Sequence, residues 1–556
     1  MKQELETAVA AAVKELFATD VAVELTRPDV QFGDYATNVA LQLAKSVGKN
    51  PREIAEVLAE KLSGSASIAT ASVAGPGFVN LMLNNETLVK LAESKPAQTL
   101  AGKTVVAEYS DPNPFKVLHA GHLYTSIVGD AIANLLEATG AKVHRVNFGG
   151  DVGLHVGKTM WAILQDLGGE SPAGLEKYHS LEERVTWLSQ CYITGNNAYD
   201  DDPEAKAAIV TLNKRVYQLH TDNDHDSPFA QIYWQTRQWS YDYFDSFYAR
   251  IGSHFEKYYP ESAVAELGLQ TVREQLNKGV FETSDGAVVF KGEPYGLHTR
   301  VFINSEGIPT YEAKDTGLIM QKWEDYHFDK SVVITANEQE QYMAVVLKAI
   351  EQFKPELAKA SVHLTHGMVK LTGGEKMSSR KGNILRATDV LDAAAMANKE
   401  ATKQENDQAV LGAVKYAFLK QRTGGDIIYD PAESVSILGN SGPYLQYAHA
   451  RARSILAKSG EVAQAIEVAE FEADERGLLR KIGEYAEAID KAAQELMPHH
   501  ICTYLYELAQ EFNRFYEHNR VVGDDRQKLR LSLVAAYANV LQAGLKLLGI
   551  PAPDKM

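Results

Sequence analysis

TVVAEYSDPNPFKVLHAGHLYTSIVGDAIANLLEAT, residues Thr104 to Thr139, decides the fold. Thr104 to Glu108 is a short β-rich run, a proline-rich loop follows, and apolar periodicity from about His122 to Thr139 predicts a helix. Lys142 to Phe148 reads as a second strand. Strand, loop, helix and strand in this order open a doubly wound α/β domain, whose ligands gather at the carboxyl ends of the strands. A second half is legible at Ser331 to Thr335 (strand), Gln341 to Phe353 (helix) and Val362 to Leu371 (strand). The residues between the halves, about 155–300, read as insertions, with Asp285-Gly286 suited to a tight turn in a hairpin over Phe281 to Phe290.

Outward from this core, residues 1–98 read as a small α+β module. Its helices are Met1 to Phe17, Ala36 to Ala44 and Pro51 to Leu62, and Phe78 to Leu81 is strand-like. The polar stretch Glu93 to Gln98, with Pro96, is a linker. The α/β domain spans 99–390. After about Thr388 the chain reads helical, through a connecting region (391–430) into a helical domain (431–556), with breaks near Asp426–Pro431 and Gly439–Pro443.

Composition limits the function. The chain has 556 residues, a net charge of −17 and two cysteines, Cys191 and Cys502. Two distant cysteines give no disulfide framework, and a four-ligand zinc site would have to be mostly histidine, so reduced thiols and a cytoplasmic home are expected. Met1 to Phe17 is too acidic for a transit peptide. Leu531 to Ile550 carries Asn539, Gln542 and Lys546, so it reads as a packed helix and no membrane partner is expected. The acidic balance weakens a nucleic-acid reading, but RNA contact needs only a local basic face. Asp200–Asp202 and Asp222–Asp226 read as solvated loops.

Two elements carry chemistry. His119-Ala120-Gly121-His122 lies in the loop between the first strand and its helix, where phosphates meet a helix N-terminus. Gly121 admits a close approach of nucleotide to backbone, and two histidines can donate to phosphate oxygens as charge grows in the transition state. Replacing either should remove chemistry while leaving thermal stability almost unchanged. The second element is Lys376-Met377-Ser378-Ser379-Arg380-Lys381-Gly382-Asn383, whose cations and hydroxyls suit a clamp on a triphosphate leaving group.

The pair, in this order, resembles the HIGH and KMSKS motifs of class I aminoacyl-tRNA synthetases. More narrowly, the chain is similar to arginyl-tRNA synthetases from end to end. The resemblance rests on FGDYATNVALQLAK (Phe32 to Lys45), GPGFVNLML (Gly75 to Leu83), Glu108-x-Ser110-x-Pro112-Asn113 with Lys116, GDVG (Gly150 to Gly153), SDGA (Ser284 to Ala287), HGMV (His366 to Val369) and SGPYLQYAHARARSIL (Ser441 to Leu456). It implies a fold of class α/β: a Rossmann-like catalytic domain with insertions, a small tRNA-contacting N-terminal domain and an all-α C-terminal anticodon-binding domain. The implied reaction joins arginine to tRNA through an adenylate, with ATP and Mg2+ as substrate, no protein-bound metal, and a monomeric enzyme.

The same resemblance implies the site residues. Glu108, Tyr109, Asn113, His119, Tyr311, Asp315 and Gln339 would line the arginine site. His119, Gly121, His122, Met368, Lys376 and Met377 would hold ATP. Lys116, His119, His122, Lys376, Ser378, Ser379 and Arg380 would act in catalysis, and Tyr444, Tyr447, His449, Arg451 and Arg453 would contact tRNA. A guanidinium with five rigid donors wants a fork of carboxylates, for which Glu108 and Asp315 are the candidates. Tyr311 and Asp315, four apart, share a helix face. The chain departs from the family pattern at Val152, His155, Ala313, Lys314 and Ser379. Two rivals remain at this point: a small-molecule nucleotidyltransferase, which would not need the helical third of the chain, and a synthetase-like RNA-binding protein with a dead site.

Overall fold

The computed structural model describes residues 2–372 and 385–556. Among these, five parallel strands build the central sheet: β1 (Thr104–Glu108), β2 (Lys142–Gly149), β3 (Lys257–Pro260), β4 (Lys330–Ala336) and β5 (Ser361–His366), in the order β5-β4-β1-β2-β3. The chain winds outward one way from β1 to β3, then returns to the other side of β1 for β4 and β5. The strand order therefore switches between β1 and β4, and a crevice opens at their carboxyl ends.

Helix α1 (Ala120–Ala138) follows β1, and 14 of its residues are buried, polar Ser126 and Asp130 included. A helix apolar nearly all round is covered on both sides. One face lies on the sheet and the other meets helix α4 (Ala387–Thr402) and the helix Asp407–Leu419. Leu123, Ile127, Ile132 and Leu135 are at most 2% exposed, and each such burial is worth about 1.5–3 kcal/mol.

The span read as an insertion needs correction. It contains β3, an edge strand of the sheet, and helix α2 (Glu261–Asn277), which packs on helix α3 (Tyr311–Tyr326) of the catalytic core. The strand Lys-Tyr-Tyr-Pro is four residues long and ends in proline, too short for a periodic signal. The expected strand Val362 to Leu371 divides into β5 and a second strand, Val369–Leu371, which pairs with Ile427–Tyr429 instead. A side chain at Gly367, between the two, would meet the backbone of Gly425 at 2.3 Å. The break near Asp426 is thus a strand that ties the connecting region to the catalytic domain. The hairpin turn at Asp285-Gly286 is present, both residues having positive φ. Asp200 and Asp201 close a helix, and Asp202 caps the next one, rather than forming a loop.

In the N-terminal module, helices Lys2–Phe17, Val39–Val47 and Pro51–Leu62 pack with a three-stranded antiparallel sheet, and Ala36 falls in its edge strand instead of a helix. Part of the FGDYATN motif faces the helical domain. Tyr35 and Arg27 both donate to Glu487 at 2.5 Å, and Arg476 pairs with buried Asp34 at 2.5 Å. Among the described residues, no helix is long and apolar enough to cross a membrane.

Candidate active site

The loop leaving β1 is held in a costly backbone conformation. Ser110, Asp111 and Phe115 have φ of 75°, 49° and 68°, and none is glycine. Three hydrogen bonds fix it: Phe148 N donates to Asp111 Oδ1 (2.9 Å), Gly150 N to Asn113 Oδ1 (2.7 Å), and Phe115 N to Ser240 Oγ (3.0 Å).

The loop delivers two histidines to the N-terminus of α1, where they form a reciprocal cap. His119 Nδ1 accepts from Gly121 N, and His122 Nδ1 accepts from His119 N, both at 3.1 Å. The rings stack with centroids 3.7 Å apart. A side chain at Gly121 would lie 2.8 Å from His119 Nδ1, so this glycine makes room for the capping ring. With Nδ1 an acceptor, each neutral imidazole carries its proton on Nε2. His119 keeps an exposed edge, but the protein around it, with Lys116 and His366, lowers its pKa to about 4. Burial, then His119 and Lys116, pushes His122 well below the ordinary histidine range. At neutral pH the pair is therefore a set of uncharged N–H donors over a helix N-terminus. His366, behind them, shares a 2.5 Å hydrogen bond with Thr125 Oγ1.

On the opposite face of the sheet lies a cluster of buried carboxylates. Because helix α3 leads into β4, its N-terminal turns stand at the carboxyl ends of the strands. Glu108, at the end of β1, is 3% exposed and paired with Lys322 of α3, which is wholly buried and also donates to Ser331 Oγ at 3.2 Å. Asp315, two turns before Lys322, is 7% exposed and accepts from Tyr342. Burial, followed by repulsion from Glu108 and Glu261, pushes the Asp315 carboxyl well above its usual range. Asp111 is pushed well up in the same way, by burial and then Glu108. Glu261, the first residue of α2, pairs with Lys314 at 2.6 Å, and Lys314 also donates to Tyr217 at 3.1 Å. Burial lowers the pKa of Lys314, where the family pattern has arginine, but the Glu261 carboxylate and the Tyr217 hydroxyl outweigh it and leave the pKa raised. Glu108, Asp111, Asp315 and Glu261 thus face two lysines.

Tyr311 (57% exposed) opens α3, and Gln339 is exposed in the turn after β4, so both stand at the mouth of the crevice. Lys116 lies 5.4 Å from the Tyr192 ring, its pKa lowered by burial. Met368 is exposed just after β5, and its N–H donates to Asp426 Oδ1 at 2.8 Å. His155 Nε2 donates to the Gly150 carbonyl at 2.8 Å, supporting the loop that holds Asn113. Lys376, Met377, Ser378, Ser379 and Arg380 lie outside the described residues.

Two placements differ from the sequence reading. Tyr109 is fully buried on the α1 side of the sheet, its hydroxyl donating to Asp130 at 3.3 Å and its ring 4.8 Å from Phe255. Neighbours along an extended chain point to opposite faces, so Glu108 and Tyr109 do not share a pocket. In helix α5 (Gly442–Ser459), His449 is fully buried and hydrogen-bonds the Pro553 carbonyl at 2.9 Å, so it anchors the C-terminal residues. Of the other expected tRNA contacts, Tyr447 is 45% exposed, while Tyr444 accepts from Asn513 at 2.8 Å. Arg451 stacks on Tyr516 at 4.4 Å, and Arg453 pairs with Asp554 at 3.0 Å. Sequence reasoning missed Asp111, Glu261 and Lys322. For Lys322 a signal existed: a lysine two residues past the apolar run Gly317-Leu318-Ile319-Met320, seven residues from Asp315 and so on the same helix face.

A switch-point crevice, a histidine pair capping the helix beneath it and an appended helical domain define a class I aminoacyl-tRNA synthetase. The family model "tRNA synthetases class I (R), catalytic domain" matches residues 85–430, "Arginyl tRNA synthetase N terminal domain" matches 2–83, and "DALR anticodon binding domain" matches 445–556. The chain belongs to the arginyl-tRNA synthetase family. It is 30% identical to the arginine–tRNA ligase of Bacteroides fragilis over 100% of both chains. It superposes on the arginyl-tRNA synthetase of Thermus thermophilus with a TM-score of 0.81 at 26% identity, covering 100% of each chain. The fold of the Plasmodium falciparum arginyl-tRNA synthetase also matches, with a TM-score of 0.82 at 20% identity over 100% of this chain and 99% of that one. The reaction is ATP-dependent aminoacylation of arginine tRNA.

Proposed function

We propose that Glu108 and Asp315 hold the arginine guanidinium, with Tyr311 and Gln339 at the mouth of the pocket and Asn113 and His119 toward the reacting end. The observation that carries this reading is the charge imbalance: buried carboxylates outnumber buried lysines, and Asp315 is held toward its neutral form until a cation arrives. A buried charge without a partner is expensive, and a guanidinium supplies the partner. Arginine's own carboxylate then attacks the α-phosphorus of ATP in line, pyrophosphate leaves, and the tRNA 3′ hydroxyl attacks the adenylate carbonyl to release AMP. Catalysis is positioning plus charge stabilisation. His119 and His122 donate Nε2–H bonds to oxygens whose charge grows in that step, Gly121 borders the nucleotide, and Lys116 faces the phosphates. Magnesium enters with ATP as substrate, and Met368 covers the adenine side.

The triphosphate clamp is assigned to Lys376, Met377, Ser378, Ser379 and Arg380 on the family resemblance. Within the domain division 1–98, 99–390, 391–430 and 431–556, exposed Tyr447, with Tyr444, Arg451 and Arg453 behind it, receives single-stranded tRNA loop bases. A cytoplasmic monomer completes the proposal, on the same resemblance.

Asp315→Asn tests it. An amide keeps the shape, removes the charge and presents a donor to a guanidinium that has no acceptor. Truncating one partner of a buried charge pair costs about 2–5 kcal/mol, or roughly 30- to several-thousand-fold. The Michaelis constant for arginine should rise by that factor, that for ATP should stay nearly constant, and discrimination against citrulline should narrow. An unchanged arginine constant would place Asp315 outside the pocket.

A further inference from the structure

Lys322 has no part in the reading above, yet it is the wholly buried ammonium paired with Glu108. It reaches Glu108 from α3, the helix that also carries Asp315, and its second partner is Ser331 at the start of β4. One side chain thus touches three elements that meet at the pocket: β1, α3 and β4. Its ammonium pairs with Glu108 Oε2.

We infer that Lys322 is a positioning residue for arginine recognition, fixing the rotamer of Glu108 and cancelling one charge so that the pocket accepts a single guanidinium. This rests on the proposal that Glu108 and Asp315 hold that group. The charge count supports it. Glu108, Asp111 and Asp315 converge from β1, its following loop and α3. Glu261 and Glu312 add negative potential to Asp315, and Tyr342 donates to it. Lys314 is engaged with Glu261, while Lys322 is bonded to Glu108 and its charge also lowers the pKa of Asp111 and Asp315. Without it, Glu108 loses the partner that fixes it, and Asp111 and Asp315, which the ammonium holds down, rise further and attract a cation less well.

The test is steady-state aminoacylation by the full-length enzyme across pH, varying arginine and ATP separately. For Lys322→Met, the arginine Michaelis constant should rise about 10- to 100-fold at neutral pH, and the ATP constant should stay within about threefold. The acid limb of kcat/KM for arginine should move to higher pH by about one unit or more. Lys322→Arg should recover most of the loss. Because Lys322→Met orphans a buried carboxylate and can impair folding, Lys322→Met/Glu108→Gln is the second variant. If the lysine acts through Glu108, the double variant matches Glu108→Gln alone in its arginine constant. Additive losses, or an unshifted pH profile with an unchanged arginine constant in Lys322→Met, would overturn the inference. If Glu108→Gln and Asp315→Asn themselves leave the arginine constant unchanged, the pocket assignment fails instead.

Discussion

The carboxylate pocket under the crevice and helix α5 of the C-terminal domain both looked like binding surfaces, because each concentrates charged and aromatic residues. Their internal accounts differ. In the pocket, Glu108 pairs with Lys322 and Glu261 with Lys314, while Asp111 and Asp315 are pushed well above their usual range. Along α5, Arg453 has Asp554, Arg451 has Tyr516 and Asn513, and His449 has the Pro553 carbonyl. Buried charge that the protein leaves uncompensated marks a place for a ligand. Charge matched within the chain marks structure, and of the five expected tRNA contacts on α5 Tyr447 is the exposed one.

The largest effect beyond the pocket is expected at the histidine pair. His119→Ala or His122→Ala should lower kcat by about 10²–10³-fold, as for loss of one transition-state donor. Unlike the expectation from sequence, stability should also fall, by about 0.5–2 kcal/mol, because each ring caps α1. Both effects are read from kinetics and thermal melts of the same samples. The pH dependence has a definite sign. Histidines whose pKa is lowered on folding contribute stability that is present above the unfolded value of about 6.5. That contribution is lost as pH falls toward the folded value, about 4 for His119. Melts from pH 7 to 5 should show wild type losing stability faster than His119→Ala.

A smaller effect separates the residues of α5. Tyr447→Ala should weaken tRNA binding by about 1–3 kcal/mol through lost stacking, in a filter-binding titration. His449→Ala should leave tRNA affinity nearly unchanged and lower the melting temperature, since the side chain ties down the C-terminal residues. Equal losses of tRNA affinity in the two variants would erase the distinction between the regions.

Sequence legibility follows the range of the interactions. β1, α1 and the His119–His122 loop are local, so periodicity and turn chemistry give them directly. Asp315 is legible because a helix repeats every 3.6 residues. The same repeat puts Lys322 on the Asp315 face, but its role and that of Glu261 were hidden, because they depend on partners 214 and 53 residues away. β3 was hidden by its brevity and its proline. Tyr109 was misplaced because family position was weighed above the alternation of a strand, which sends it to the face opposite Glu108.

The central claim is that the pocket holds more carboxyl groups than cations until arginine binds, with Asp315 held toward its neutral form, and calorimetry tests it most directly. Asp315 is raised in the free enzyme by burial and by Glu108 and Glu261, and a bound guanidinium favours its ionised form. Binding should therefore release protons, and arginine affinity should rise with pH until the free carboxyl is ionised. Titrating arginine into the enzyme in buffers of different ionisation enthalpy, over pH 6 to 8, measures the protons exchanged. Net release that disappears in Asp315→Asn is the predicted result. Binding with no proton exchange, or with uptake, would contradict the account.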